Sequence, residues 1–409
     1  MTSVCRFCAT ALEHDLVDLG MSPVSNSFIR PDRAQEPEPF YPLHAFVCSN
    51  CFLVQLEEFE TADKIFSDYV YFSSYSTSWL AHARKFVNEA IERFGYNSDS
   101  LVIEVASNDG YLLQYFKERD VPVLGIEPAS NVAEVARAAG IETIDEFFGV
   151  ALAKRLRSKG YVCDLLVGNN VLAHVPDIND FVGGLGIVLN QDGVLSMEFP
   201  HLLKLIEQTQ FDTIYHEHFS YLSLSTVQKI FAHHGLQVFD VQELPTHGGS
   251  LRVYAQHAGG KHATGATVQK VLKDERAARL DSLDGYRGFS DKVLKVKADL
   301  RKFLDGAARQ GKTVVGYGAP AKGNTLLNFC AVGPDVIAYT VDRNPHKQQL
   351  LLPGTHIPVH APEKIAETRP DYVLILPWNL KDEVVEQMAG IREWGGKFVV
   401  PIPELKVIE

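Results

Sequence analysis

The 409-residue chain has no apolar run near the roughly 18 residues a membrane span needs, and no signal-peptide pattern opens it. A membrane partner is therefore not expected, and a cytoplasmic location is. The chain also lacks a surplus of positive charge. Its formal net charge of -12 argues against a nucleic-acid partner, although a local basic pocket can still receive an anion. Cysteine is sparse, with six residues in all. Cys163 and Cys330 stand alone inside apolar runs, where buried, inert thiols are expected. What is present is ordinary for a globular protein: 46% apolar and 22% charged, in a chain long enough for two or three domains. No self-association helix is evident, and a monomer is expected.

The other four cysteines form two C-x-x-C pairs, Cys5 and Cys8 in "CRFC" and Cys48 and Cys51 in "CSNC". Each pair places two thiolates on one tight turn, and two such turns complete a tetrahedral S4 shell for zinc. Disulfides conflict with the cytoplasmic character, and a redox C-x-x-C needs only one pair. The stretch between the pairs is long for a zinc ribbon. Pro23, Pro31, Pro37, Pro39 and Pro42 mark it as an extended excursion. Four protein ligands leave no open position, so this Zn2+ is expected to fold the segment and to take no part in chemistry.

From residue 100 onward "SLVIEVASNDGYLLQYFKERDVPVLGIEPASNVAEVARAAGI" reads as strand, turn, helix, strand, helix. The apolar run 101–105 predicts a buried parallel strand, with a helix starting near Tyr111. Glu127 ends the second strand, where an acid can accept hydrogen bonds from ribose hydroxyls. The turn between them lacks the G-x-G-x-x-G that holds a pyrophosphate. It carries Asn108, Asp109 and a single Gly110 instead. An acidic turn repels phosphate but suits the sulfonium and ammonium groups of S-adenosylmethionine. Glu104 and Asp109 are expected to face that end. Further strands are predicted in "CDLLVGNNVLAHVPD" and "GVLSMEFPHL", with Asn170 and His174 past a strand end, where ligands of open sheets bind. Phe147 or Phe148 is placed to flank an adenine.

Residues 261–312 read as charged helices broken at "DGYRGF", followed by a second α/β pattern beginning "KTVVGYGAPAKGNTLLNF". Gly316, Gly318 and Gly323 depart from the strict dinucleotide spacing, and Asp342 ends the next strand. With Lys322, Arg343, His346 and Lys347 near strand ends, this turn suits the diphosphate of a nucleotide-linked substrate. A dinucleotide, or no ligand at all, remains open.

"CRFC…CSNC", "DYVYFSSYS", "EVASNDGYLL", "GIEPASNVA", "GNNVLAHVPD", "IYHEHFSYLS", "HGGSLRVY" and "GYGAPAKGNTLLN" occur in this order across nearly the whole chain. Together they resemble the S-adenosylmethionine-dependent C-methyltransferases of dTDP-linked deoxysugars, notably the 3-C-methyltransferases of the tetronitrose and kijanose type. The resemblance implies an α/β fold with a small zinc-binding module (1–66) and two Rossmann-like domains. The first (67–260) would bind S-adenosylmethionine; the second (261–409), with a helical connector, would anchor the nucleotide sugar. It also implies the reaction: methylation of C3 of a dTDP-linked 4-keto sugar through an enolate, in unusual-sugar and antibiotic biosynthesis.

By the same resemblance His218 is the base, in one segment with Tyr215 and Glu217, while Tyr69 and His174 line the pocket. The expected cofactor set is Glu104, Ala106, Ser107, Asn108, Asp109, Gly110, Glu127, Pro128 and Asn170. The expected substrate set is Tyr71, Ser73, Tyr75, His247, Lys322, Asn324 and Arg343. Methylation at C5, an NAD-dependent oxidoreductase built on the C-terminal glycines, and a non-catalytic sugar-nucleotide binder are the rival readings. "DTIYHEHFSYLS" (212–223) lacks the i, i+4 histidine spacing of a metalloprotease helix, which points to acid/base chemistry.

Overall fold

The computed structural model describes residues 3–61 and 72–409. Tyr69 and Tyr71 lie outside the described residues. No helix among the described residues is long and apolar enough to cross a membrane.

The first layer is built around the four cysteines. Their Sγ atoms lie within 4.8 Å of one another, with Cys5–Cys51 and Cys8–Cys48 each 3.5 Å apart. Zinc–sulfur bonds of about 2.3 Å in a tetrahedron give edges of roughly 3.8 Å, so the cluster fits zinc. Gln55 Nε2 donates to Cys5 Sγ at 3.2 Å, a contact that suits a thiolate. Strands β1 (His14–Ser22), β2 (Tyr41–Val47) and β3 (Val54–Leu56) form an antiparallel sheet on this knot.

Helix α1 (Thr77–Phe94), capped by the Ser76 side chain on Trp79 N–H and ended by left-handed Gly95, leads into the middle unit. There β4 (Val102–Val105), α2 (Leu113–Lys117), β5 (Val123–Ile126), α3 (Ser130–Ala138), β6 (Thr143–Ile144), α4 (Val150–Ser158), β7 (Cys163–Asn169), α5 (Ile178–Val188) and β8 (Leu189–Pro200) alternate. The first strand starts one residue later than its apolar run suggests. The helix expected at Tyr111 starts at Leu113, because residues 106–112 are spent on the turn. After the short α6 (Leu202–Glu207), β9 (Ser220–Tyr221) leaves this unit and pairs with β3, becoming the fourth strand of the zinc sheet. Helix α7 (Leu224–His233) then returns the chain to β10 (Leu236–Leu244) and β11 (Ser250–His257).

The resulting seven-stranded sheet has the order β10-β11-β8-β7-β4-β5-β6, with β11 antiparallel to both neighbours. Chain order reverses beside β4: β5 and β6 lie to one side, β7 and β8 to the other. A crevice therefore opens beyond the carboxyl ends of β4 and β7, the usual ligand position in such sheets.

The charged segment after β11 divides between two cores. Helix α8 (Ala266–Ala277) buries Val268 and Val271 with the middle sheet. Helix α9 (Phe289–Arg309) buries Val293, Val296, Leu300 and Leu304 with the C-terminal unit. That unit includes β12 (Val314–Tyr317), α10 (Ala321–Phe329), β13 (Thr340–Val341), β14 (Val359–His360), β15 (Tyr372–Ile375), β16 (Lys397–Val400) and β17 (Lys406–Ile408). Its sheet order is β14-β13-β12-β15-β16-β17, parallel except for β17. The α/β fold with a zinc module and two Rossmann-like sheets agrees with the expectation.

Candidate active site

A cavity of about 800 Å³ lies over the carboxyl ends of β4 and β7 and reaches the first turn of α10. One end of its wall is the turn after β4. Ala106 (φ 57), Asn108 (φ 51) and Gly110 (φ 79) are all left-handed, so alternate residues of the turn bend the chain sharply. For Ala106 this conformation costs about 1–2 kcal/mol, which the surrounding contacts must offset. Asn108 N–H and Ala129 N–H each donate to one oxygen of Glu127 at 3.0 Å. Glu127 is thereby fixed at the end of β5 on the cavity wall, and burial raises its pKa.

Opposite it, Asn169 and Asn170 end β7. Both side-chain carbonyl oxygens are buried without a hydrogen-bond partner among the described residues, while their residues line the cavity. Orphaned acceptors beside a fixed carboxylate fit a ligand that carries an ammonium and ribose hydroxyls, as S-adenosylmethionine does. Phe147 and Phe148 line the far end, Phe148 edge-on to Phe181 at 5.6 Å.

Four of the expected cofactor residues stand behind the wall. Glu104 is fully buried beneath the turn, and burial pushes its carboxyl well above its ordinary pKa. Asp109 accepts Ser74 N–H at 3.1 Å and the Ser74 hydroxyl, which ties the turn to residues 73–75. Ser107 packs against Gly125, where a Cβ would sit 2.5 Å from its Oγ, and Gly110 packs against Ile141.

The segment 212–223 supplies the central wall. His218 Nδ1–H donates to Thr213 O at 3.0 Å, which leaves Nε2 as the acceptor for the Tyr215 hydroxyl at 2.9 Å. His174 Nδ1–H donates to Glu217 O at 2.7 Å, and its ring lies 4.6 Å from that of His218. Burial, then the neighbouring His174, with His247 and Lys322 adding to them, holds His218 well below 6.5. Burial lowers His174 to about 4, and burial with Lys322 lowers His247 to about 4. Three neutral imidazoles therefore face one cavity at neutral pH.

Glu217 itself is not on the wall. Its Oε1 accepts both the backbone N–H and the side-chain Nδ2–H of Asn26 at 3.1 Å, and burial raises its pKa to about 7. It is the backbone carbonyl of Glu217, accepting from His174, that orients a histidine.

His247 adopts a left-handed backbone (φ 54) and accepts Asn170 Nδ2–H at 3.3 Å. Its neighbour Thr246 donates to Glu198, a buried carboxylate paired with Arg252 at 2.8 Å. Burial works to raise Glu198, but His82 and Arg252 outweigh it and hold it low. Lys322 lines the cavity with its Nζ 4.7 Å over the Trp378 ring. The Trp378 indole donates to Asp212 at 2.7 Å; burial pushes Asp212 up to about 6 against the opposing pull of Lys322. Lys347 also lines the cavity, donating to Ala319 O at 2.8 Å.

The structure thus brings Ala106, Asn108, Glu127, Pro128, Asn170, His174, Tyr215, His218, Ser73, His247 and Lys322 to one wall. It does not bring Tyr75 or Arg343 there. Tyr75 is 65% exposed and faces His346, while Arg343 is exposed beside Glu383 at 3.8 Å. Asn324 is buried, with Nδ2 donating to Ser25 O at 2.6 Å, so it holds main chain and does not reach the cavity. Sequence reasoning missed Trp79, Tyr111, Asn26 and Asn169, all on the wall. Asn169 had a signal, since it precedes Asn170 at the strand end. Asn26 had none, because it arrives from the excursion between the cysteine pairs.

Comparison with known proteins gives three family-model matches along the chain. Residues 5–66 match a family described as "Putative zinc binding domain", residues 79–241 a methyltransferase domain, and residues 245–403 a C-methyltransferase C-terminal domain. C-methyltransferase NovU of Streptomyces niveus is 37% identical over 404 residues, covering 99% of this chain and 96% of NovU. Among solved structures, magnesium protoporphyrin IX methyltransferase from Synechocystis PCC 6803 with bound SAH covers 48% of this chain and 92% of its own at 13% identity and a TM-score of 0.36. YcgJ from Bacillus subtilis covers 44% and 100%, at 12% identity and a TM-score of 0.35.

Proposed function

The chain belongs to the S-adenosylmethionine-dependent C-methyltransferases, and we propose that it methylates C3 of a dTDP-linked 4-keto deoxysugar, foremost a 3-amino-4-keto sugar. The observation that carries this reading is the Tyr215–His218 pair at 2.9 Å, set between the orphaned asparagines and Lys322 in one cavity. S-adenosylmethionine supplies the electrophilic methyl group when bound. Asn169, Asn170 and Glu127 have the donor and acceptor set to hold its ammonium and ribose ends. Lys322 and Lys347, beside the N-terminus of α10, suit the diphosphate of the sugar nucleotide.

His218 is the base in this reading. Its Nδ1–H is committed to Thr213 O, so only Nε2 can take a proton. A substrate carbonyl offers the Tyr215 O–H a second acceptor, and rotation toward it bares the Nε2 lone pair. Once Nε2 has taken the C3 proton it can donate to the Tyr215 oxygen, and the Tyr215 O–H stays on the enolate oxygen. Because burial keeps His218 unprotonated, the base form is already present at neutral pH.

The oxidoreductase reading has less support. Asp342, the acid a dinucleotide ribose would need, accepts Ala319 N–H at 2.7 Å and Asn344 N–H at 2.8 Å. Gly316, Gly318 and Gly323 are packed against Thr340, Pro377 and Leu376, where a Cβ would meet atoms at 2.5–3.0 Å.

The test is His218→Asn, assayed on a panel of dTDP-4-keto sugars with cofactor and sugar binding measured separately. Turnover is expected to fall by about 10²–10⁴-fold with binding retained. Turnover near wild type removes His218 from the base role, and the carbon that carries the new methyl in the wild-type product decides between C3 and C5.

A further inference from the structure

The excursion between the two cysteine pairs does more than link β1 to β2. From Pro23 to Phe40 it crosses the molecule as a strap. Asn324 Nδ2 donates to Ser25 O at 2.6 Å, and Ile29 and Leu351 form an antiparallel bridge. Farther on, the Glu38 carboxylate accepts Gly354 N–H at 2.8 Å and His356 Nε2–H at 3.2 Å. All these anchors belong to the C-terminal unit, whose Lys322 and Lys347 line the cavity. Between the first two sits Asn26, on the cavity wall, with both of its N–H donors on one oxygen of Glu217.

This has a chemical consequence. With Oε1 holding two N–H donors, a proton on the Glu217 carboxyl resides on Oε2, which is buried and has no partner among the described residues. Asn26 therefore decides which oxygen of Glu217 carries the acid hydrogen and where that hydrogen points. Glu217 also carries the carbonyl that fixes His174, whose ring touches His218. We propose that Asn26 is a positioning residue of the methyl transfer: it locks the Glu217 carboxyl and, through the strap, fixes it to the unit that holds the nucleotide sugar. The proposal rests on the reading that methyl transfer takes place in this cavity.

Other groups near Glu217 also bear on its ionisation. Tyr221 of β9 faces it, and Arg6 of the first zinc knuckle lies beyond Tyr221. His174 and His218 flank its main chain and are held neutral by burial. None of these donates to the carboxylate; its own backbone N–H, Asn26 and the backbone of Ser25 oppose the effect of burial, and of these the Asn26 side chain is the donor that a substitution removes. Burial already places Glu217 at about 7, above its unfolded value of about 4.3. The folded state thus favours the neutral acid. The cost of ionising Glu217 appears above the unfolded pKa and grows until the folded pKa is passed. Removing the Nδ2–H donor raises the folded pKa and extends that cost to higher pH.

The experiment compares wild type, Asn26→Ala and the isosteric Asn26→Asp, with zinc content as the check on folding. In the Asn26→Ala enzyme kcat is expected to fall by about 10- to 100-fold while KM for the sugar nucleotide changes little. The ionisation nearest neutrality in the kcat profile moves upward, and farther upward in Asn26→Asp, which adds a second carboxylate. Without any turnover, the melting-temperature gap between Asn26→Ala and wild type widens from pH 5.5 to 8. An unmoved profile, a KM effect without a kcat effect, or a gap that is constant with pH overturns the proposal. A wild-type enzyme that methylates no 4-keto sugar overturns the substrate reading instead, and the melting measurement then still decides for or against Asn26.

Discussion

At the scale of single residues, the site is set by which atoms are already committed. Gly248 shows how tightly. Its φ is +88°, and a Cβ there would lie 2.6 Å from the Trp378 ring. Trp378 in turn supports Lys322 and donates to Asp212. Gly248→Ala should therefore cost about 1–3 kcal/mol from overpacking, beyond the penalty for a left-handed alanine. Because the displaced ring lies under Lys322, we expect KM for the sugar nucleotide to rise more than kcat falls. Steady-state kinetics over a substrate range check this; a fall in kcat at unchanged KM would separate Trp378 from substrate binding. Glu104 and Asp109 teach the opposite lesson. Their types suggested ligand contacts, yet one is sealed beneath the turn and the other holds Ser74. An acid at a strand end is legible in sequence, but which way it faces depends on neighbours such as Gly125 and Ser107 that only the sheet brings together.

At the scale of elements, the decisive event is the pairing of β9 with β3. A two-residue strand is too short to hold itself, so the segment carrying Tyr215 and His218 depends on the zinc sheet for its position. Further ties run the same way. Arg6, inside the first knuckle, donates to Pro176 O at 2.7 Å near the His174 loop, and Thr226 of α7 donates to Cys51 O at 3.3 Å. Structural zinc binding contributes folding free energy directly, about 10–16 kcal/mol in isolated fingers. Stripping zinc with a strong chelator should therefore abolish turnover and expose residues 212–223 to protease, although zinc touches no reacting atom. Full activity in metal-free protein, measured beside zinc content by atomic absorption, would rule out this dependence. The helices between the sheets were legible as charged helices with a break at "DGYRGF". That α8 belongs to one core and α9 to the other was not, because both carry apolar faces of the same kind.

At the scale of the whole molecule, three layers close around one cavity, and the strap is what fastens them. Glu38 is its far clasp, with a largely buried side chain on Gly354 N–H and His356. Glu38→Ala leaves those donors without a partner and should cost about 1–3 kcal/mol. Denaturant unfolding should show the loss, and hydrogen exchange should quicken around residues 350–357 while the seven-stranded sheet keeps its protection. Equal quickening throughout would mean that the clasp acts on global stability alone.

The sequence by itself determined the chemistry that local spacing encodes. Two C-x-x-C turns imply zinc, a strand followed by the turn of Asn108, Asp109 and Gly110 implies the cofactor end, and alternating strands and helices imply two parallel sheets. These follow from periodicity and short loops, which depend on near neighbours in the chain. The tertiary structure alone decided which candidates share a wall. His218 meets Tyr215 within one turn, but Asn26 meets Glu217, and Trp378 meets Asp212, only across different layers. Such meetings are fixed by burial and by the need to satisfy buried polar atoms, and no local pattern records them.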